Sequence, residues 1–341
     1  MADSRLLAQP APASAAGAGL RNHDQTSSCG LPHDVTCCRA LGAPSNGGTR
    51  MAGPESTAEM HGIFNTTAAE YDQGGVEFFG PIGRNLVEFA AIGRGDRVLD
   101  VGCGRGAALL PAAAATGPEG EVIGIDIAEN MVSYAERDAR EHGFTHVTTQ
   151  VANGQSPGFP PGHFDVVIGS FSIFIWTYGP ADLEPYSRLL RPGGRFAVSA
   201  PSFILKPGEK WGFLPEPVHD LLFPHLVDPK DPDGYDCPYS NVRNNWLASQ
   251  KLAASTLRQA GFTDITVWEE DRQLVLDSGM QWVRWTQTHG MRRLWQMLGE
   301  QEREELANEV ADRLDTTMRK PDGTLTVPHP VVYASGHAPA Q

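Results

Sequence analysis

The most informative stretch of the sequence is a glycine-rich loop that directly follows a short apolar run. Residues 98–106 read Val-Leu-Asp-Val-Gly-Cys-Gly-Arg-Gly, and a helical pattern begins at Ala107. In a parallel α/β sheet, the first strand-to-helix turn lies at the carboxyl edge, where ligands bind. Gly102 and Gly104 let the backbone approach a ligand, and the helix start offers free N–H groups to a carboxylate. The loop is therefore predicted to bind an adenosine-like ligand.

Two acidic residues bear on the identity of this ligand. Gly102, Gly104 and Ala107 also satisfy the dinucleotide fingerprint, so they do not separate a nicotinamide-dependent Rossmann oxidoreductase from a methyltransferase. Asp100 would repel a pyrophosphate but attract an amino group or a sulfonium. Asp126, at the end of the second strand, is suited to accept both ribose hydroxyls, or alternatively to cap the next helix. The nicotinamide alternative also lacks a Tyr-x-x-x-Lys or similar hydride-transfer apparatus.

The motifs, taken in order, resemble the class I S-adenosylmethionine-dependent methyltransferases, in the branch of the ubiquinone and menaquinone methylases. The resemblance covers about residues 64–199 and rests on the Asp-x-Gly-Cys-Gly loop, Gly-Ile-Asp-Ile at 124–127, Phe-Asp-Val-Val at 164–167 and Leu-Leu-Arg-Pro-Gly-Gly-Arg at 189–195. It implies a doubly wound α/β fold with a seven-stranded, mostly parallel Rossmann-like sheet of order 3-2-1-4-5-7-6. It also implies S-adenosyl-L-methionine as the cofactor. The sequence pattern adds an N-terminal helical cover and an inserted lid to this predicted fold.

The same resemblance implies a set of cofactor contacts. Tyr71 would close over the methionine part of the cofactor, with a packed aromatic as the alternative. Asn153 stands where the family commonly has aspartate, and its side-chain oxygen can accept from the adenine amine. Ser170 and Phe171, at the tip of the fourth strand, would face the transferred methyl group, with an ordinary strand end as the alternative. The predicted cofactor-binding residues are Tyr71, Asp100, Gly102, Gly104, Asp126, Ile127, Met131, Asn153, Gly154 and Ser170.

Residues that act on the acceptor carry a weaker signal, because methyl transfer depends on alignment in a dry site and needs no dedicated base. Three histidines have an ordinary pKa suited to removing a proton, although each also fits a surface or packed position: His219, His225 and His289. Spacings of three and four place Trp282, Trp285 and His289 on one helix face, which would roof an apolar cavity or form a plain core stripe. The predicted acceptor pocket contains Phe171, Trp282 and Trp285.

An aromatic-rich segment from Pro201 to Trp246 breaks the rhythm of strands and helices. Long irregular segments in compact domains are usually lids or binding loops, so this one is predicted to cover the acceptor, with a surface excursion as the alternative. Together with the tryptophan face, it indicates a small-molecule acceptor, an aromatic or terpenoid specialised metabolite or a quinone precursor, rather than a protein or RNA.

Composition restricts the remaining possibilities. The chain has 341 residues, with 27 Lys and Arg against 41 Asp and Glu, and a formal charge of −14. This acidic balance argues against nucleic acid as a partner, and no uncharged run approaches the ~20 residues that span a bilayer. Three of the five cysteines lie within residues 1–50, so no disulfide framework is indicated and a reducing cytoplasm is expected. No metal site is predicted.

Alternating elements would position the site residues. Strand patterns at 97–101, 121–125, 146–151, 164–169 and 194–200 alternate with helical patterns at 107–115, 128–142 and 181–190. This alternation predicts a parallel sheet with helices on both faces. Later segments predict helices at 247–260, 279–298 and 300–319, and strands at 264–270 and 330–334.

The chain is predicted to contain a disordered tail and one domain. Residues 1–50 contain no Phe, Trp or Tyr, so they bury too little surface to offset the entropy of ordering, and the tail is placed at 1–55. A methyltransferase domain is placed at 56–341. Its parts are a cofactor half at 56–200, an acceptor-pocket insertion at 201–246, and C-terminal helices and last strands at 247–336.

Overall fold

Seven strands form one sheet in the computed structural model, which describes residues 54–72, 75–202, 214–226 and 246–340. In chain order these strands are β1 (Arg97–Val101), β2 (Glu121–Asp126), β3 (Val147–Val151), β4 (Phe164–Ser170), β5 (Leu190–Pro201), β6 (Thr263–Glu270) and β9 (Val331–His337). Their spatial order is β3-β2-β1-β4-β5-β9-β6. The first five pair in parallel, and β9 is antiparallel to both β5 and β6. Numbered within this sheet alone, the order is the expected 3-2-1-4-5-7-6.

Ten α-helices accompany the strands in the described ranges. They are α1 (Pro54–Thr67), α2 (Phe79–Phe89), α3 (Leu109–Thr116), α4 (Glu129–Glu141), α5 (Pro180–Leu189), α6 (His219–Leu226), α7 (Gln250–Gln259), α8 (Gly279–Thr286), α9 (Arg292–Gln296) and α10 (Glu300–Met318). Two further strands, β7 (Gln273–Leu276) and β8 (Leu325–Pro328), pair with each other in a separate antiparallel sheet. None of the described helices is long and apolar enough to cross a bilayer.

Burial on both faces explains why the central strands are so apolar. Every residue of β1 after Arg97 is buried, and the interior of β4 is nearly as enclosed. Strands that are covered by helices on both sides read as continuous apolar runs rather than alternating ones. The buried carboxyl group of Asp100, in the middle of this core, is therefore exceptional.

The single helix predicted over 279–298 is wrong, because the chain leaves helical geometry after Thr286 and begins α9 at Arg292. The hydroxyl groups of Thr286 and Thr288 donate to the backbone carbonyls of Val283 and Trp285, at 2.6 Å and 2.8 Å. Such side-chain bonds compete with the helical ladder and favour an end. The pair β7 and β8 joins residues about fifty positions apart, so no local pattern marked it.

Most of the predicted lid at 201–246 lies outside the described residues, as do residues 1–53 of the predicted tail. Of the insertion, the structure describes residues 201–202, 214–226 and Trp246. The Trp246 side chain is buried, and its indole N–H donates to the hydroxyl of Thr177 at 3.0 Å.

Gly83 allows α2 to lie directly against the backbone before α3, because a Cβ there would stand 2.0 Å from the carbonyl oxygen of Ala107. We expect Gly83→Ala to lower the free energy of unfolding by about 1–3 kcal/mol, the usual cost of overpacking. The matched control is Gly80→Ala in the same helix, where the nearest atom is a side-chain nitrogen of Arg84 at 3.7 Å. Urea unfolding compares the two variants, and equal losses of stability would contradict this packing.

Candidate functional site

An open cleft lies at the carboxyl edge of the sheet, where β1, β2 and β4 end. We call it the main cleft; it encloses about 830 Å³, including its mouth. Nine of the ten predicted cofactor-binding residues line it, and Asp100 is the exception. The sequence patterns did not mark several other lining residues, among them Met60, Phe64, Ile175 and Trp176.

Asp126 holds the two loops that border the main cleft. One carboxylate oxygen accepts the backbone N–H of Gly104, and the other accepts the backbone N–H of Ala128, each at 2.9 Å. The two interpretations of this residue are therefore compatible, since it supports the start of α4 and also lines the cleft. Each oxygen retains a second lone pair, so the carboxylate can accept two further hydrogen bonds from a ligand such as a ribose diol.

Gly102 and Gly104, which have no side chains, form part of the floor of the main cleft. Gly102 has φ +71°, and a Cβ there would stand 2.4 Å from the Cβ of Ser172. Gly104 has φ +53°, and a Cβ there would meet no atom within 4 Å. A side chain at the first position would displace the β4 loop, whereas a side chain at the second would pay the strain of a left-handed backbone.

Asp100 lies beneath the cleft rather than in its wall, with 1% of its surface exposed. Neither carboxylate oxygen has a hydrogen-bond partner within the described residues. Burial, and then the nearby Asp126 carboxylate, raise the pKa of Asp100 to about 8. At neutral pH this carboxyl group is therefore mainly protonated in the ligand-free protein.

Arg105 ties the glycine loop to the segment that follows α1. Its Nη1 donates to the backbone carbonyls of Ala68, Ala69 and Tyr71 at 3.3 Å, 3.1 Å and 3.4 Å. The guanidinium also lies 4.5 Å from the ring centroid of Tyr134. Arg105, in the loop that borders the cleft, thus pairs the carbonyls that follow α1. These bonds hold α1 and the residues up to Tyr71, which we call the N-terminal cover, over the cleft.

Asp72, which follows Tyr71, connects the N-terminal cover to the start of α2. It adopts φ +58°, and its carboxylate accepts backbone N–H groups of Phe79 and Gly80 at the start of α2. Burial nevertheless raises the pKa of Asp72 to about 6. The Tyr71 ring stacks on Phe79 with ring centroids 4.9 Å apart, so Tyr71 packs closely against the start of α2.

A second cavity adjoins the main cleft and has a different chemical character. It encloses about 710 Å³ including its mouth, and none of the described residues that line it carries a formal charge when histidine is neutral. We call it the aromatic cavity. It shares part of its wall with the main cleft, namely the residues Phe64, Tyr71, Phe171 and Ile175. Its further lining includes Phe78, Phe79, Trp285, His289, Met291 and His329.

Only some of the residues predicted to contact the methyl acceptor line the aromatic cavity. Trp285 lines the aromatic cavity, as does His289. Trp282 does not line it; this side chain is fully buried and donates its indole N–H to Nε2 of His329 at 3.0 Å. His219 and His225 lie on α6, and neither lines the main cleft or the aromatic cavity.

His329 was not among the predicted residues, although one signal pointed to it. It lies two residues before β9, and β9 is antiparallel to β5, so the residues before β9 lie at the edge where β5 ends. Burial lowers the pKa of His329 to about 3, and burial together with His329 lowers the pKa of His289 to about 3. Both imidazoles are therefore neutral near pH 7.

The raised pKa of Asp100 has a consequence for stability. The folded protein binds this proton more tightly than the unfolded chain, so stability is lost as the pH rises from about 4 toward 8. Asp100→Asn removes this loss. We expect the ligand-free variant to exceed the wild type in free energy of unfolding by at least about 1 kcal/mol at pH 8, with the gain shrinking toward pH 4.

The control is Asp165→Asn, which should show the opposite sign. Burial alone would raise the pKa of Asp165, but hydrogen bonds from Arg191 and from the backbone N–H of Arg97 outweigh it and lower this pKa. Its carboxylate therefore contributes stability above the unfolded pKa that is lost as the pH falls through the folded value. Urea unfolding over this pH range distinguishes the two, and a constant Asp100→Asn difference would contradict the raised pKa.

Several known proteins that are similar to this chain in sequence are named methyltransferases. A family model described as a methyltransferase domain matches residues 92–261. The chain is 35% identical over 279 residues to nocamycin O-methyltransferase of Saccharothrix syringae, covering 80% of this chain and 96% of that protein. It is 39% identical over 201 residues to aklanonic acid methyltransferase DauC of Streptomyces sp. (strain C5), covering 58% and 89%. It is 30% identical over 177 residues to a demethylmenaquinone methyltransferase of Anoxybacillus flavithermus, covering 51% and 73%.

These matches agree with the strand order and with the position of the main cleft at the carboxyl edge of the sheet. The main cleft combines the Asp126 carboxylate, which can accept hydrogen bonds from a vicinal diol, with glycine backbone and apolar side walls. This combination fits an adenosyl ligand. The nicotinamide-dependent alternative has no support among the matches. The chain belongs to the class I S-adenosylmethionine-dependent methyltransferases, and it transfers a methyl group from S-adenosyl-L-methionine to a small molecule.

Proposed function

We propose that the chain methylates an oxygen atom of a flat, mainly apolar small molecule, an aromatic or terpenoid specialised metabolite or a quinone precursor. The observation that carries this proposal is the wall common to the main cleft and the aromatic cavity. Because Tyr71 and Phe171 belong to both, a methyl donor in one and an acceptor in the other would meet beside these rings. The name nocamycin O-methyltransferase supports oxygen as the methylated atom, and the name aklanonic acid methyltransferase supports a small-molecule acceptor.

The cofactor is assigned to the main cleft. Asp126 would accept the ribose hydroxyls through its free lone pairs, and the backbone at Gly102 and Gly104 would lie along the methionine part. Asn153 already accepts the backbone N–H of Gln155 at 2.9 Å through its side-chain oxygen, which leaves one lone pair for an adenine amine. When bound, S-adenosylmethionine supplies an electrophilic methyl group on a positively charged sulfur.

The aromatic cavity is assigned to the acceptor because its walls favour flat apolar molecules. Small-molecule pockets are mostly apolar, with a few placed polar groups. Phe78 contacts the rings of Phe171 and Trp285 edge to face, with centroids 5.3 Å and 5.0 Å apart. These interlocked rings would exclude water and hold an acceptor in line with the methyl group, which is the main requirement of the reaction.

A direct assay tests the proposed activity. The full chain is incubated with S-adenosylmethionine carrying a deuterated methyl group and with aromatic hydroxy acids, hydroxyquinones and terpenoid alcohols as acceptors. We expect a labelled methyl group on oxygen, identified by mass spectrometry and NMR. Label on carbon or nitrogen alone, or no transfer while S-adenosylhomocysteine binds, would contradict oxygen methylation.

The Asp126 carboxylate can be tested with a pair of ligands. We expect Asp126→Ala to weaken S-adenosylhomocysteine binding at least tenfold, because hydrogen bonds to a charged group contribute about 1.5–3 kcal/mol each. The 2′,3′-dideoxy analogue lacks the hydroxyls, so the same substitution should change its affinity much less. Calorimetry measures both. Equal losses for the two ligands would mean that Asp126 acts only through Gly104 and Ala128.

Two methionines allow the cavities to be blocked separately. Met291 lines the aromatic cavity but not the main cleft, and Met131 lines the main cleft but not the aromatic cavity. Met291→Trp should abolish acceptor turnover while S-adenosylhomocysteine affinity stays within about threefold, and Met131→Trp should weaken that affinity at least tenfold. Circular dichroism checks that both variants fold. Lost cofactor binding in folded Met291→Trp would contradict the assignment of the cavities.

A further inference from the structure

Two buried nitrogen atoms of the aromatic cavity's lining residues have no hydrogen-bond partner. They are Nε1 of Trp285 and Nε2 of His289, both unpaired among the described residues. The Trp285 side chain is 2% exposed, and its ring centroid lies 4.4 Å from that of His289. Buried polar groups are almost always paired in proteins, so two adjacent unpaired ones point to a ligand atom.

The hydrogen bonds of His289 fix which of its nitrogens carries the proton. The backbone N–H of Met291 points to Nδ1 of His289 at a donor–acceptor distance of 3.4 Å. Nδ1 is therefore the unprotonated nitrogen, and the proton of the neutral ring lies on Nε2. The unpaired Nε2 is a donor, like the indole N–H of Trp285, and it has no lone pair with which to take a proton.

His329 is fixed in the same way by Trp282. Its Nε2 accepts the indole N–H of Trp282 at 3.0 Å, so the proton of its neutral ring lies on Nδ1. The structure gives this Nδ1 no hydrogen bond within the described ranges. The His329 ring lies 5.2 Å from the Trp285 ring, between centroids. Trp285 and the two histidines beside it thus contribute three N–H donors, and no carboxylate lines the cavity among the residues that the structure describes.

We infer that Trp285 Nε1, His289 Nε2 and His329 Nδ1 form a binding site for an ionised oxygen substituent of the acceptor, a carboxylate or an equally acidic enolate. This inference rests on the proposed function and specifies its substrate class. Donors without a neighbouring base select an anion that is already deprotonated. A neutral alcohol would find no group to take its proton among the lining residues that the structure describes.

The reaction then balances without a general base. The new bond forms between an oxygen lone pair of the anion and the methyl carbon, while the carbon–sulfur bond breaks and its electron pair stays on sulfur. The negative charge on oxygen and the positive charge on sulfur disappear together. In a carboxylate, one oxygen can be held by the donors while the other attacks.

The test uses the full chain saturated with S-adenosylhomocysteine and two probes of equal shape, 2-naphthoate and neutral 2-naphthamide. The wild type should bind 2-naphthoate at least tenfold more tightly. Trp285→Phe and His289→Leu should each weaken 2-naphthoate at least tenfold and change 2-naphthamide less than threefold. His289→Gln retains a donor and should stay within about threefold of the wild type for both probes.

Several results would overturn the inference. These are equal affinities of the wild type for the two probes, no detectable 2-naphthoate binding, or parallel losses for both probes in the variants. Nitrogen-15 NMR of labelled histidines gives an independent answer, and a proton on Nδ1 of His289 at pH 7 would also overturn it. If the probes behave as expected but no acceptor oxygen is methylated, the proposed function fails while the anion site stands.

Discussion

The carboxylate of Asp126 is the interaction on which the rest of the site depends. It pairs one backbone N–H from the loop after β1 and one from the start of α4, so neither loop can move away without leaving a buried donor unpaired. The next residue after Gly104 is Arg105, which holds the carbonyls that follow α1. A continuous series of polar contacts therefore runs from the sheet edge to the N-terminal cover, and the shape of the main cleft follows from it.

The wall between the two cavities depends on an unusual backbone conformation. Phe171 adopts φ +54°, a region that bulky side chains rarely occupy, and its N–H donates to the carbonyl of Ser199 at 3.0 Å. Its ring meets those of Phe78 and Phe79 edge to face, 5.3 Å and 5.6 Å between centroids. Strained residues persist where the surroundings hold them, often at functional sites. Here the strained residue places an aromatic ring at the end of β4 on the boundary between the main cleft and the aromatic cavity.

Local patterns predicted the parallel strands of the sheet well, because buried parallel strands have continuous apolar sequences and are followed here by glycine-containing turns. β1 has the predicted bounds, and the glycine loop and Asp126 occupy one cleft as expected. Whether a side chain lines a cavity or lies behind its wall does not follow from such local patterns. Spacing places Trp282 and Trp285 on one helix face, but only the packing of α8 and the position of His329 decide that Trp285 lines the cavity while Trp282 supports it from behind. His289 lies beyond the end of α8, where helical spacing no longer applies.

Asp126 in the main cleft and Asp100 beneath it bear on which ligand the cleft can bind. Asp100 and Asp126 lie close enough for each charge to oppose the other, which, after burial, is the second reason for the raised pKa of Asp100. A pyrophosphate in this position would bring negative charge close to the Asp126 carboxylate and would further disfavour ionisation of Asp100, in surroundings where water screens charge weakly. A ligand bearing an ammonium and a sulfonium would instead favour the ionised form of Asp100 and lower its pKa. The glycine loop alone would accept either kind of adenosine ligand, but a dinucleotide would meet an unfavourable charge here that an adenosyl sulfonium would not.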